Sequence, residues 1–486
     1  MGECVSWKGL RFCAYPEGMP LPATAIHRDA ASDFPATPGV LALVLLATAL
    51  LLGGGGTPAP VPELMLEWLA IGLGAAWLLL PGSRDGWRQV PRGAWLVCLL
   101  ALIVPLVQLV PLPPALWQAL PGREPEIEAL ALIGREDTWR PWTMTSERTL
   151  AALLSLLPPL VLLVMATTLS LRQQIWLMLV VVGAGIATLA LGALQLTSAA
   201  DSAVQLYGVT TPNLRGFQAN HNATADVLLA ALLACYALLR IGALHGLVPS
   251  RAGPVLGLAT LATGLFGFGV IFTASRMGIA LLPLAMLAGL WLLRGWLPRL
   301  NRKALIAAAV LAALLAATGA ALVRSSPALA AITGRFEFGQ DLRLELWRDG
   351  LYVARKHYPA GVGMGGFVPA LVVEERLEVV RPAMPNRAHN EYIELGVEAG
   401  LFGLLAWGAV IVIVARAAAA FRGQQSRSTR AAALFAGAVL ILLMLHSMVD
   451  YPFRSMSLAV LGALCAALLL GHANPGAGGS FEKDHV

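Results

Sequence analysis

The residues of this chain that could do chemistry lie in a few short polar stretches between long apolar runs. In "RAHNEYIELGVEAG", His389 and Asn390 come directly before Glu391, Glu394 and Glu398. A histidine near a carboxylate is the usual general base at neutral pH. Asn390 suits an N-cap, which would place Glu391 and Glu394 in a first helical turn, where carboxylates are favourable. That role does not explain Glu398, which lies deeper, or the histidine at the helix start.

Arginines in three other stretches could bind an anion, because a guanidinium offers paired donors to phosphate oxygens. They are Arg215 in "NLRGFQANHN", Arg276 in "TASRMG" and Arg343 in "DLRLELWRDG". Arg276 could instead be a snorkelling arginine at a membrane interface, although its tight turn favours a functional role. Arg343 could instead pair with Asp341 or Glu345 on a helix surface.

Three further residues accompany these stretches as supporting candidates, namely Asn220, Trp347 and Asp450. Asp450 precedes "YPFR" and is either a helix stop or a partner for an arginine. The run "GVGMGGF" lacks the Gly-Lys-Ser/Thr of a Walker loop and favours a tight turn. No set of His, Asp, Glu or Cys residues has convincing metal-ligand spacing, so the sequence predicts neither a metal nor a cofactor.

Long apolar segments must position these residues. The 486 residues are 57% hydrophobic and 13% charged, with a mean hydropathy of +0.71, which excludes an ordinary water-soluble globule. The predicted fold is an all-α polytopic membrane bundle, because a bilayer-spanning helix needs about 20 apolar residues. About twelve segments of that kind are predicted, at 39–56, 62–80, 94–111, 150–168, 175–197, 222–241, 254–273, 277–297, 303–323, 396–416, 430–449 and 455–472.

Charged residues predict the orientation. With the N-terminus in the cytoplasm, the inner loops and both tails hold 18 of the 34 Lys and Arg residues but only 7 of the 28 Asp and Glu residues. This is a positive-inside pattern, so the net charge of +6 requires no nucleic acid partner. The predicted organisation is a cytoplasmic tail (1–37), N-terminal transmembrane helices (38–204), a transmembrane domain (205–470) with a large periplasmic loop (324–389), and a second cytoplasmic tail (471–486).

On this map the candidate residues share the periplasmic side and come from several separate loops. Convergence of that kind is typical of a binding or catalytic site in a helical bundle.

Three stretches together, "DLRLELWRDGLYVARKHYPAGVGMGGF", "RAHNEYIELGVEAGLFG" and "HSMVDYPFR", resemble the C-terminal signature of the O-antigen ligase and polymerase superfamily. The resemblance covers roughly residues 205–470. It implies a GT-C-like glycosyltransferase of the bacterial inner membrane, with its active site on the periplasmic face. Its donor would be an undecaprenyl-diphosphate-linked glycan and its acceptor lipid A core or a growing polysaccharide, without a metal or a nucleotide.

The same resemblance implies roles for individual residues. Arg276 and Arg343 match arginines that hold the lipid diphosphate, and His389 matches the general base. Arg215 has a less certain counterpart.

Ligase and polymerase share these motifs, so the sequence leaves both open. Related members glycosylate protein hydroxyls, which adds a protein O-oligosaccharyltransferase to the alternatives. A small-anion transporter would place polar or broken helices near mid-membrane. Here the polar residues crowd one side and a long outer loop, which favours an enzyme.

Overall fold

The structure is a computed structural model. It describes residues 4–7, 10–13, 37–55, 61–80, 86–199, 201–207, 212–297, 343–376, 378, 385–421 and 426–472. The predicted segment 303–323 and part of the predicted outer loop, 324–342, lie outside the described residues.

The chain divides into two compact units, Met1–Ala36 and Thr37–Val486. In the first unit, strands β1 (Cys4–Trp7) and β2 (Leu10–Cys13) form an antiparallel hairpin.

Helices dominate the second unit, apart from the short antiparallel pair β3 (Pro111–Leu112) and β4 (Arg140–Pro141). A 3₁₀ turn at Pro452–Arg454 joins its last two helices. The α-helices are α1 (Thr37–Leu52), α2 (Val61–Leu79), α3 (Gly86–Gln89), α4 (Arg92–Gln108), α5 (Pro114–Trp117), α6 (Glu124–Ala131), α7 (Ser146–Leu154), α8 (Leu157–Ala166), α9 (Leu171–Thr197), α10 (His221–Leu244), α11 (Ala252–Phe272), α12 (Arg276–Leu293), α13 (Arg343–Lys356), α14 (Phe367–Glu374), α15 (Glu391–Ala420), α16 (Arg427–His446) and α17 (Met456–His472).

Within the described residues, eight helical segments are long and apolar enough to cross a membrane, and α1, α4 and α17 are shorter apolar helices. Every predicted apolar segment except 303–323 corresponds to one of these. The segment predicted at 150–168 is divided between α7 and α8 just before Pro158 and Pro159, which cannot donate backbone hydrogen bonds. The prediction of an all-α polytopic membrane protein is confirmed.

Polar side chains cap several of the helix starts, because the first backbone N–H groups have no partner within the helix. Asn390 caps α15 as predicted, since its side-chain oxygen accepts hydrogen bonds from the N–H groups of Tyr392 and Ile393, both at 3.1 Å. Asn220 caps α10 and Ser275 caps α12 in the same way. The capping residues therefore determine where α10, α12 and α15 begin.

Helix α10 is the centre of the bundle. Of its membrane-spanning window, 72% is buried, against at most 56% in the other long apolar helices of the described residues. It packs against α9, α11, α12 and α16. Small residues allow this close approach: an added Cβ at Gly185 of α9 would lie 2.5 Å from the Cβ of Ala231. The same distance separates an added Cβ at Gly278 of α12 from the Cβ of Ala225.

Helix α15 begins five residues before the predicted segment 396–416 and is interrupted at Gly400, where φ is 56° and ψ is −146°. The glycine-rich run lies across this interruption. The N–H of Leu401 donates to the oxygen of Pro359 at 3.0 Å, and the N–H of Gly363 donates to the oxygen of Glu398 at 2.9 Å. The run is therefore a tight turn attached to the backbone of α15, in agreement with the sequence.

A second apolar cluster lies beside this turn, where α13, α14 and the start of α15 meet. Val353, Val362, Phe367, Leu371 and Val397 are its main buried members. Through this cluster, α13 and the turn fix the position of the polar first turns of α15.

Candidate functional site

A small cavity lies where α10 and α12 begin and α16 ends, and Arg276 and Arg343 both line it. Its volume is about 190 Å³. Arg276 is the first residue of α12 and Arg343 the first residue of α13. The lining residues are His221, Asn222, Ala274, Arg276, Met277, Arg343 and His446.

The turn before Arg276 is held in an uncommon backbone conformation. Ala274 has φ of 54°, in the left-handed region that non-glycine residues rarely occupy. Ser275 follows, and its hydroxyl accepts a hydrogen bond from the N–H of Gly278 at 3.1 Å. This turn directs the chain sharply into α12 and places Arg276 at the cavity.

His389 pairs with Asp450, which the sequence treated as a helix stop or an arginine partner. Its Nδ1 lies 3.1 Å from Oδ1 of Asp450, and its side chain is 28% exposed. The backbone of His389 is left-handed, with φ of 48°, and its ring lies 5.1 Å from that of Tyr451. Because an ionised carboxylate only accepts hydrogen bonds, Nδ1 carries the proton and Nε2 is left as the basic nitrogen.

Asp450 is buried and has further donors. Its Oδ2 accepts hydrogen bonds from Nδ2 of Asn220 at 3.1 Å and from Nδ2 of Asn222 at 2.6 Å. Burial alone would raise the pKa of this carboxyl. The hydrogen bond from His389 and nearby positive charges outweigh it and lower the pKa to about 2. Asp450 is therefore an anion throughout the physiological pH range, able to stabilise a protonated His389.

Two further contacts fix the backbone around His389. Nε1 of Trp347 donates to the oxygen of Ala388 at 3.0 Å, and Nδ2 of Asn390 donates to the oxygen of Met448 at 2.8 Å. The backbone on either side of His389 is thus tied to α13 and to the turn after α16. Trp347 and Asn390 were predicted as supporting residues, and both contact the segment around His389 or hold it in place.

Glu398 is fully buried and bound to Arg454, whose Nη2 lies 2.7 Å from Oε2 of Glu398. Glu394 is also fully buried, and its Oε1 lies 2.9 Å from Nη1 of Arg387. Burial lowers the pKa of Arg454, but the carboxylates of Glu398, Glu394 and Glu391 outweigh it and raise the pKa above its ordinary value. Glu394 is therefore more than the helix-dipole residue that the sequence predicted. The Arg454 pair holds α15 against the turn before α17, and the Arg387 pair holds the segment that precedes α15.

Arg215 is not among the described residues that line the cavity. It lies in the loop before α10, where its backbone oxygen accepts a hydrogen bond from the hydroxyl of Thr224 at 2.8 Å. For Arg343, the alternative partner Asp341 lies outside the described residues.

The sequence analysis missed three residues of this site, namely Asn222, Asp226 and His446. Nδ1 of His446 lies 2.7 Å from Oδ1 of Asp226, and both side chains are almost completely buried. Asp226 lies inside the predicted apolar segment 222–241, and His446 lies inside the predicted segment 430–449. An ionisable residue in such a segment is costly and is a signal for function, and that signal could have identified both.

The family model for O-antigen ligase matches residues 261–408. This range contains Arg276, Arg343 and His389, whereas Asp450 and Asn222 lie outside it. No curated protein has significant similarity to the chain.

Proposed function

The chain is a multi-pass membrane protein that carries an O-antigen ligase domain at residues 261–408, and from that premise we propose that it is a lipid-diphosphate-dependent glycosyltransferase. The donor is an undecaprenyl-diphosphate-linked glycan. The acceptor is a hydroxyl group, which we place on the lipid A core of lipopolysaccharide. The site faces the periplasm from the bacterial inner membrane.

One observation carries this proposal. Arg276 and Arg343, which come from separate helices, line one cavity, and a histidine–carboxylate pair lies next to it. Asn222 joins the two parts, because it lines the cavity and its Nδ2 donates to Asp450 at 2.6 Å. An anion site beside a base is the arrangement that transfer from a glycosyl diphosphate needs.

The chemistry follows from these positions. Nε2 of His389 removes the proton of the acceptor hydroxyl, and Asp450 stabilises the imidazolium that forms. The acceptor oxygen forms the new bond to C1 of the donor sugar, and the bond between C1 and the phosphate oxygen breaks. The diphosphate leaves with the bonding electron pair, and Arg276 and Arg343 stabilise its developing negative charge.

A polymerase would use the same residues to join glycan repeats to one another. Deletion of the gene separates the two activities, with the glycolipids analysed by gel electrophoresis. Loss of all capped lipid A with accumulation of lipid-linked polymer identifies a ligase, whereas lipid A capped with single repeats identifies a polymerase. An unchanged set of surface glycans, including glycosylated proteins, would contradict a glycosyltransferase of either kind and favour the transporter.

Complementation of the deletion tests the site. The wild-type gene should restore the glycan, and His389→Ala should not, because a general base contributes about 10²- to 10⁴-fold. Full restoration by His389→Ala, at equal protein levels in the membrane, would remove this residue from the mechanism.

A further inference from the structure

A second histidine–carboxylate pair faces the arginine cavity and has no role in the mechanism above. His446 lines the cavity together with Arg276 and Arg343. Its side chain is 1% exposed and that of Asp226 is 2% exposed, and the two are 2.7 Å apart. A buried polar pair inside a membrane bundle is costly unless it is used or fully satisfied.

One member of each histidine pair is held by α10, at positions one turn apart. On α10, Asn222 holds Asp450, and Asp226, four residues further on, holds His446. On the other side, the N–H of Asp450 donates to the backbone oxygen of His446 at 2.9 Å. Residues four apart lie on one face of a helix, so α10 presents both contacts to the same neighbour.

The contact with Asp226 determines what the ring can offer to the cavity. An ionised carboxylate accepts only, so Nδ1 of His446 carries a proton and Nε2 is the nitrogen left for a ligand. Phosphate oxygens also accept only. A hydrogen bond from His446 to a phosphate therefore requires the imidazolium form, and the Asp226 carboxylate is placed to balance its charge.

We propose that His446, held by Asp226, is a third cationic donor to the donor diphosphate, beside Arg276 and Arg343. This inference rests on the proposed function. It assigns the two histidines opposite protonation states during catalysis, since His389 must be neutral to act as a base and His446 must be charged to bind. A bound diphosphate stabilises the imidazolium form of His446.

The charges around His446 explain why the ligand would set its protonation state. Two carboxylates and two guanidinium groups surround it, and a bound dianion adds further negative charge that favours imidazolium. Binding should then weaken as the pH rises. The titratable and charged groups that face His446 are Asp226 and His221 from α10, Asp450 from the turn after α16, Arg276 from α12 and Arg343 from α13.

The test uses the purified full-length protein in lipid nanodiscs and P1,P2-dihexyl diphosphate as the probe. Both phosphates of this probe are esterified, so its charge does not change near neutral pH. Calorimetry at about pH 6 and about pH 8 should show wild-type affinity falling roughly tenfold, the value of one charge-assisted hydrogen bond. The affinity of His446→Gln should be the same at both pH values. It should equal the affinity that wild type has at the higher pH.

Two further variants make the result decisive. Asp226→Asn removes the balancing charge, so the decline in affinity should begin at a lower pH than in wild type. His245→Gln is the matched control, because it makes the same substitution at the opposite end of α10, where Nε2 of His245 lies 3.0 Å from the hydroxyl of Ser428. It should bind as wild type does. Thermal unfolding of each variant checks that the fold is retained.

Different outcomes separate the two proposals. If wild-type affinity does not change with pH, or if His446→Gln keeps both the affinity and its pH dependence, His446 is not a ligand of the diphosphate. If Arg276→Gln also binds the probe normally, the diphosphate site lies elsewhere and the proposed mechanism is wrong as well. If Arg276→Gln loses binding while His446→Gln binds as wild type does, only the role of His446 is overturned.

Discussion

Asp450 is the buried carboxylate that determines the position of His389. It is buried, it holds His389, and it accepts hydrogen bonds from two asparagines. Replacement by asparagine keeps the shape but removes the charge and one acceptor. We expect Asp450→Asn to lower the transfer rate about 10²- to 10⁴-fold, because His389 loses both its orientation and the partner for its positive form.

The same variant has a defined effect of pH on stability. The pKa of Asp450 in the folded protein is about 2, below the ordinary value of 3.8, so its stabilisation is present above the ordinary value and is lost as the pH falls toward 2. As the pH falls from above 3.8 toward 2, the free energy of unfolding of wild type should therefore drop by about 2 kcal/mol more than that of Asp450→Asn. Denaturant titrations in detergent at several pH values would measure it. An equal drop in both proteins over this range would show that the fold does not stabilise the Asp450 anion.

The two arginines predict a strict requirement for a guanidinium. Arg276→Lys and Arg343→Lys each keep the charge but lose the planar pair of donors, so each should reduce glycan transfer roughly tenfold or more. Arg427→Lys, at the exposed start of α16, is the matched control and should have no effect. Normal transfer in both cavity variants would restore the interpretation of Arg276 as a snorkelling arginine.

At the level of elements, α15 contacts the glycine-rich turn at the point where the helix is interrupted, at Gly400. An added Cβ at Gly400 would lie 2.1 Å from the oxygen of Pro359, and φ is positive. Gly400→Ala should therefore destabilise the protein by more than about 3 kcal/mol.

Gly408 is the matched control in the same helix, since nothing lies within 4 Å of an added Cβ there. Gly408→Ala should be neutral or stabilise the helix by up to about 1 kcal/mol. Thermal unfolding of the two variants compares them directly. Equal melting temperatures would mean that the turn does not depend on this close contact.

The elements show what the sequence could and could not predict. Apolar runs fixed the membrane helices, and Asn390 was a readable cap. The ion-pair partner of Glu398 could not be predicted, because Arg454 lies 56 residues away in sequence. Such partners are distant in sequence, so no local pattern reveals them.

The same limit applies to the site. The residue types of His389, Arg276 and Arg343 suggested their chemistry. Their proximity was predictable too, because the helix starts that carry them meet at one end of the bundle. The His446 pair was missed because its members are 220 residues apart and each sits within an apolar segment. Three-dimensional contact alone joins them.

For the whole molecule, the proposed orientation makes a direct prediction. A cysteine at Asp137, in the exposed loop between α6 and α7, should react with a membrane-impermeant maleimide added to spheroplasts. A cysteine at Ser426, the cap of α16, should react only after permeabilisation. Reversed labelling would place the cavity and both histidines on the cytoplasmic side.

The burial of α10 also determines how the protein responds to its bilayer. Lipid of a different thickness acts first on the helices it touches, such as α2, whose spanning window is only 22% buried. Because α10 is shielded by its neighbours, Asn222 and Asp226 hold Asp450 and His446 on a helix that this stress does not reach directly. Transfer rates measured in nanodiscs of short-chain and long-chain lipids should therefore be nearly equal, even where the melting temperature changes with acyl-chain length.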